Sequence, residues 1–212
     1  MSEGKVEISH PDKVLYPEAG ITKKEVVDYY RRIATRILPW CEGRPLTLRR
    51  FPDGISEEGF YQKQAPDYFP DWIPQVEVPH KSDEEVTHHV ICNREETLAW
   101  LANQGTLEFH LSLSRKDHLE QPDLIIIDLD PPEGDYSRVK EAALLIHEQL
   151  ESREIPSFLM TTGSSGAHIR IPLQRGPSFE EVLPACKQLA KTITEEHSEI
   201  FTTAIRKEKR EG

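Results

Sequence analysis

Residues Gln121–Asp135 read QPDLIIIDLDPPEGD. Leu124–Ile127 is an apolar run of mostly β-branched side chains, and its lack of alternation predicts a strand buried on both faces. The run ends in Asp128-Leu129-Asp130, and the Pro131-Pro132 pair that follows cannot continue a ladder. With a side-chain period of two, Asp128 and Asp130 project from one face, about 6.5 Å apart along the strand. Two carboxylates at the end of a hydrophobic strand repel each other and resist desolvation unless water, donors or a cation meets them. A divalent metal would satisfy both and leave positions open for phosphate oxygens. A turn in which one aspartate caps the prolines and the other is solvated would also satisfy them. These residues alone leave both readings open.

Working outward, 212 residues suffice for one large domain or two small lobes with a real core. Cys41, Cys92 and Cys186 are far apart, without CxxC spacing, which points to a reducing, intracellular setting. No apolar run approaches membrane-spanning length and the N-terminus lacks a signal-like segment, so the expectation is a cytoplasmic protein with no membrane partner. A net charge of −11 argues against a surface that coats polyanions indiscriminately. Basic clusters at Arg31-Arg32, Arg44–Arg50 and Lys207–Arg210 are separated by acidic stretches, and alone they read as solvated faces.

On the N-terminal side, Lys5–Ile8 suggests a short strand and residues 10–20 (HPDKVLYPEAG) a loop. Thr22 and Glu25 have capping-box spacing, and Val26, Tyr30, Ile33 and Ile37 recur at helical spacing up to Pro39. Arg44–Phe51 reads as a strand with a basic face, and Phe60–Lys63 as a short strand or turn carrying two aromatics beside a cation. Asn93 and Glu96 would open a second helix that ends before Gly105. In the alternation that follows, Glu108 and His110 share the polar face of a strand opposite Leu107, Phe109 and Leu111. On the C-terminal side a helix starts near Ser137, with Val139, Ala142, Ala143, Ile146 and Leu150 inward. Two strands, Ser157–Thr161 and His168–Leu173, flank the small-residue loop Thr162-Gly163-Ser164-Ser165-Gly166. That loop could cradle a phosphate or form an ordinary hairpin turn, and His168 and Arg170 emerge beside it on one face. Ser178 and Glu181 cap a last helix reaching about His197. His88, His89 and Cys92 lack a fourth ligand for zinc.

Taken together, the motifs HPDKVLYPEAGITK, TLRRFPDG, GFYQKQAPD, LAWLANQGTLEFH, IIIDLDPPEG and TTGSSGAHIRIPL, and the closing RKEKREG, resemble the polymerase domain of bacterial ligase D. That end-joining enzyme's polymerase domain belongs to the archaeo-eukaryotic primase superfamily. The resemblance covers nearly the whole chain and shifts the balance on the aspartates towards metal. It implies an α+β fold of the primase-polymerase type, with two β-sheets flanked by helices and the active site between them. Residues 1–212 would form a single catalytic domain.

Carried over residue by residue, the resemblance implies that Asp128 and Asp130 hold Mn²⁺ or Mg²⁺ in a two-metal site. His110 would be a further catalytic residue. Thr162, Ser164, Ser165, His168 and Arg170 would meet the triphosphate of a nucleoside triphosphate substrate, although the family commonly has Lys where this chain has Ser165. Arg49, Arg50, Phe60, Tyr61 and Lys63 would line the nucleotide and template side. Lys13 and Lys23 would grip a 5′-phosphate at a DNA break, and Lys207 and Arg210 match a basic pair near the final active-site strand. The family's third metal-binding aspartate follows that pair, beyond Gly212, so the expectation is a chain truncated before that strand.

The implied function is template-directed nucleotidyl transfer that fills or extends DNA ends in double-strand-break repair, with ribonucleotides and Mn²⁺ preferred. Expected partners are DNA ends, an end-joining ligase and a DNA-end-binding protein, in a nucleoid-associated setting. One alternative is a catalytically weak module that still binds 5′-phosphorylated ends. Another is a phosphohydrolase or glycosyltransferase built on the DxD pair, which Pro131-Pro132 disfavours.

Overall fold

The computed structural model describes residues 6–79, 85–131, 135–163, 166–197 and 200. The chain divides into two compact units, Met1–Leu119 and Glu120–Gly212. Its mixed α+β elements form several antiparallel sheets and four helices among the described residues, in agreement with the fold class expected from sequence.

The first unit is organised by β3 (Pro45–Arg50), a strand with neighbours on both edges. On one side it pairs antiparallel with β7 (Thr106–Leu111). On the other, its first residues pair with β6 (Val86–Ile91) and its last with β4 (Phe60–Gln62). β5 (Gln75–Pro79) extends the sheet beyond β6. Helices α1 (Lys23–Cys41) and α2 (Glu95–Asn103) pack on each other and bury Val26, Val27, Ala34, Leu98, Leu101 and Ala102 with Leu46 and Leu48 of β3 in one core. Tyr30 of α1 donates its buried hydroxyl to the carbonyl of Leu107 at 2.7 Å, which ties the helix to β7. The capping box of α1 is present as expected: Thr22 N donates to Glu25 Oε2 at 2.8 Å, and Glu25 N donates to Thr22 Oγ1 at 3.3 Å.

Four local expectations change. Residues 6–8 form no strand, because the Asn103 side chain takes their polar groups: Nδ2 donates to Glu7 O at 3.1 Å and Oδ1 accepts from Ser9 N at 3.1 Å. The expected loop instead contains a two-stranded ribbon, β1 (Val14–Tyr16) with β2 (Ile21–Thr22). Asn93 does not cap α2: its Oδ1 accepts from Gly43 N at 2.9 Å, and the helix starts at Glu95 without a side-chain cap. Pro39 does not end α1 either, since Glu42 N donates to Leu38 O at 2.9 Å and closes one more turn past the proline.

β8 (Ser114–Arg115) and β9 (His118–Pro122) make a small ribbon where the two units meet in the chain. In the second unit a three-stranded antiparallel sheet has the order β10 (Leu124–Leu129), β12 (Ala167–Pro172), β11 (Phe158–Thr161). Helix α3 (Tyr136–Glu151) buries the five expected positions, Val139, Ala142, Ala143, Ile146 and Leu150, against Leu129, Ala167, Ile169 and Ile171. Ile193 of α4 (Phe179–Glu196) joins this cluster, and Ser178 and Glu181 form the capping box of that helix. β10 was expected to be buried on both faces. Ile125, Ile126 and Ile127 are only half-buried, because among the described residues β10 has β12 as its sole neighbour.

Candidate functional site

In the second unit, Asp128 and Asp130 are both exposed on either side of buried Leu129, as the period of two requires. Asp128 lies opposite His168 in the β10–β12 register, and His168 Nε2 stands 3.2 Å from Asp128 Oδ1. His168 is the more sheltered of the two, and its buried Nδ1 has no hydrogen-bond partner among the described groups. Arg170 shares the His168 face of β12 but is buried.

The small-residue loop joins β11 to β12 as a hairpin, with Thr161 opposite Ala167. Thr162 N and Oγ1 both donate to Gly166 O, at 3.2 and 3.0 Å. Gly163 adopts φ +83°, a left-handed conformation that glycine tolerates best. A Cβ at Gly166 would stand 2.7 Å from Leu129 O and 3.5 Å from Asp130 Oδ1, so only glycine lets the loop lie against the aspartate strand. Ser164, Ser165, Lys207 and Arg210 lie outside the described residues.

Two solvent-facing carboxylates and a neighbouring imidazole are donors that a divalent cation accepts. No group of three or more His, Cys, Asp or Glu positioned to hold a metal occurs among the described residues. The residues present therefore fit such an ion in part, with Asp128 and Asp130 as its oxygen donors.

The first unit carries the lysine pair. Lys23 opens α1, is largely buried, and points its Nζ to Ser9 Oγ at 3.4 Å. Burial lowers its pKa below the ordinary lysine value, and the nearby charge of Lys13 lowers it further. Lys13 is paired with Asp53 at 2.7 Å. The first amides of α1 are already occupied, Lys23 N by Lys13 O at 2.8 Å and Lys24 N by Pro11 O at 3.0 Å. An anion here would be held by the two ammonium groups rather than by the helix terminus.

On the polar face of the same unit's sheet, Tyr61, Arg49 and Glu108 stand side by side across β4, β3 and β7. Arg49 lies over the rings of Phe51 and Tyr61, at 5.0 and 5.3 Å to the centroids. Phe60 and Tyr61 are well exposed. Arg50 is buried: its Nε donates to Gln104 O at 3.0 Å, and Nη1 donates to Gln62 Oε1 and Tyr68 Oη at 2.7 Å each. Lys63 and His110 line a cavity of about 320 Å³ with Thr47, Thr87, His89 and Ser112. The structure thus brings Lys13 to Lys23, Arg49 to Tyr61, and Asp128 to His168.

Sequence reasoning missed Asp53, Asn103 and Glu108 as members of these groups. Glu108 alone left a signal, its shared strand face with His110. No helix among the described residues is long and apolar enough to cross a membrane.

Residues 22–212 match the family described as LigD, primase-polymerase domain. The chain is 34% identical over 211 residues to a multifunctional non-homologous end joining protein LigD of Mycolicibacterium smegmatis, covering 98% of this chain and 27% of that protein. It is 32% identical over 202 residues to a bifunctional non-homologous end joining protein LigD of Bacillus subtilis, covering 94% of this chain and 32% of that protein. The chain thus spans about a third or less of these relatives' length. Among solved structures, it superposes with a TM-score of 0.90 and 30% identity on the polymerase domain of Mycobacterium tuberculosis ligase D in complex with DNA, covering 98% of this chain and 75% of that one.

Proposed function

This chain belongs to the LigD primase-polymerase domain family, and on that premise we propose that it transfers nucleotides onto DNA ends during repair of double-strand breaks by non-homologous end joining. The observation that carries this reading is the end of β10, where two exposed carboxylates one strand step apart adjoin His168 and the glycine-dependent loop at Thr162–Gly166. Two exposed carboxylates that share a strand face, with an imidazole beside one of them, offer a divalent cation oxygen donors at little desolvation cost.

In this reading Asp128 and Asp130 hold Mn²⁺ or Mg²⁺, with further ligands from outside the described residues. Such ions stabilise the attacking and leaving oxygens of an in-line displacement. His168 braces Asp128 and, with Thr162, Ser164, Ser165 and Arg170, meets the triphosphate. His110, Arg49, Arg50, Phe60, Tyr61 and Lys63 contact the nucleotide and template, the exposed aromatics by stacking. Lys13 and Lys23 hold the 5′-phosphate by charge-assisted hydrogen bonds. Lys207 and Arg210 add positive charge. Ribonucleotide and Mn²⁺ preference follow from the family resemblance, as do a nucleoid-associated cytoplasmic location and partnership with an end-joining ligase and an end-binding protein.

The test is extension of a 5′-phosphorylated gapped primer-template with Mn²⁺ or Mg²⁺, compared with release of inorganic phosphate from a phosphomonoester. Nucleotide incorporation supports the reading. Phosphate release without incorporation sinks it.

A further inference from the structure

Glu108 has no role in the site as derived so far, yet its carboxylate joins two residues that do. Oε1 accepts from Arg49 Nη1 at 3.0 Å, and Oε2 stands 3.1 Å from His110 Nε2. The arrangement follows from register: Arg49 is opposite Glu108 and Thr47 is opposite His110 in the β3–β7 pair, so all four side chains belong to neighbouring positions of one sheet. Tyr61 closes the group, with Arg49 over its ring at 5.3 Å and the His110 ring edge-on at 5.4 Å.

Each carboxylate oxygen takes a different donor, so the two partners cannot turn independently. An imidazole that gives its Nε2 proton to a carboxylate keeps Nδ1 as an acceptor when neutral, which fixes the tautomer as well as the ring plane. The guanidinium, which lies over the rings of Phe51 and Tyr61, is fixed at one end by the same carboxylate.

We infer that Glu108 is a positioning residue: it orients Arg49 and His110 together and sets the His110 tautomer, so that both present fixed groups to the nucleotide. The inference rests on the polymerase reading for its effect on rate, but its structural half does not. Glu108 is only part-buried, and its partners are part-buried or exposed, so a purely scaffolding role would be weak.

The test compares the parent chain with Glu108→Gln and Glu108→Asp. Glutamine offers one acceptor and one donor where two donors must be met, so one arm breaks at nearly constant size. The Glu108→Gln chain should extend primers with kcat reduced roughly 10–100-fold, the usual result of loosening a positioned group. Its melting temperature and its binding of 5′-phosphorylated DNA should match the parent. Glu108→Asp, with both acceptors retained, should recover part of the rate. The ring-nitrogen chemical shifts of His110, measured by ¹⁵N NMR without substrate, should move in Glu108→Gln.

Unchanged shifts, or changed shifts with parental kcat, overturn the inference. A rate loss that only tracks a lower melting temperature also overturns it, because that marks a structural role. If the parent chain itself extends nothing, the polymerase reading fails, and the His110 shifts still decide whether Glu108 sets the ring.

Discussion

The lysine pair and the aspartate pair meet opposite electrostatic problems with opposite designs. Lys23 is largely buried, fixed at the first position of a helix whose leading amides are already hydrogen-bonded, and Lys13 is neutralised by Asp53. Asp128 and Asp130 are exposed at a strand end, with one imidazole beside Asp128. The lysine region has its geometry before any ligand arrives, with the cost of burying one ammonium met by the fold. The aspartate region leaves most of its charge facing solvent, where a cation can reach it. A rigid grip suits recognition of a fixed group, whereas an open carboxylate pair suits a cation whose coordination changes during a reaction.

The strongest way to break this contrast is to remove a carboxylate. Asp128→Ala or Asp130→Ala should lower primer extension on the order of 100-fold or more, while affinity for a 5′-phosphorylated end stays near the parent value. Single-turnover extension and DNA binding measured on the same variants check this. Equal losses in both would show that the two regions do not work separately.

The reciprocal change sharpens it. Lys13→Ala and Lys23→Ala should each weaken binding of 5′-phosphorylated DNA by about 1–3 kcal/mol and leave unphosphorylated DNA almost unaffected. A matched loss on both substrates, in fluorescence anisotropy at fixed salt, would make these lysines general backbone contacts.

Backbone fit comes next. Gly166→Ala should cost roughly 1–3 kcal/mol, because the new methyl meets the Leu129 carbonyl and something must shift. Thermal unfolding should register the loss, and extension should fall while end binding holds.

The smallest effect is on pH. The pKa of Lys23 is lowered in the folded state, chiefly by burial, so the folded protein releases this proton before the unfolded chain does. Its contribution to stability therefore rises as pH climbs from that lowered value towards the ordinary lysine value. A bound phosphate favours the charged form, so affinity for phosphorylated ends should fall over the same alkaline interval. Titration of binding against pH should show this step in the parent chain and not in Lys23→Ala.

Much of this was legible in the sequence where local rules dominate. The capping boxes at Thr22 and Ser178 and the five inward positions of α3 needed only spacing. The aspartate face followed from the strand period. What escaped depended on partners distant in sequence. Asn93 looked like a cap but serves Gly43, and Asn103 replaces a strand's hydrogen bonds for residues 6–9. Arg50 looked like part of a basic face but is enclosed by Gln62, Tyr68 and Gln104. The bridging role of Glu108 needs the β3–β7 register, which no single strand reveals.

The Tyr30–Leu107 hydrogen bond makes α1 a ruler. Lys23 stands at its zero mark, and Tyr30, about two turns and roughly 10 Å further on, is fastened to the strand that carries Glu108 and His110. If Lys23 holds the 5′-phosphate as proposed, the span from that phosphate to the polar face of the sheet is set by helix pitch and cannot stretch. Gapped substrates should show one favoured gap length, with extension falling for gaps shorter or longer than it. A flat dependence on gap length would show that the ruler is not read.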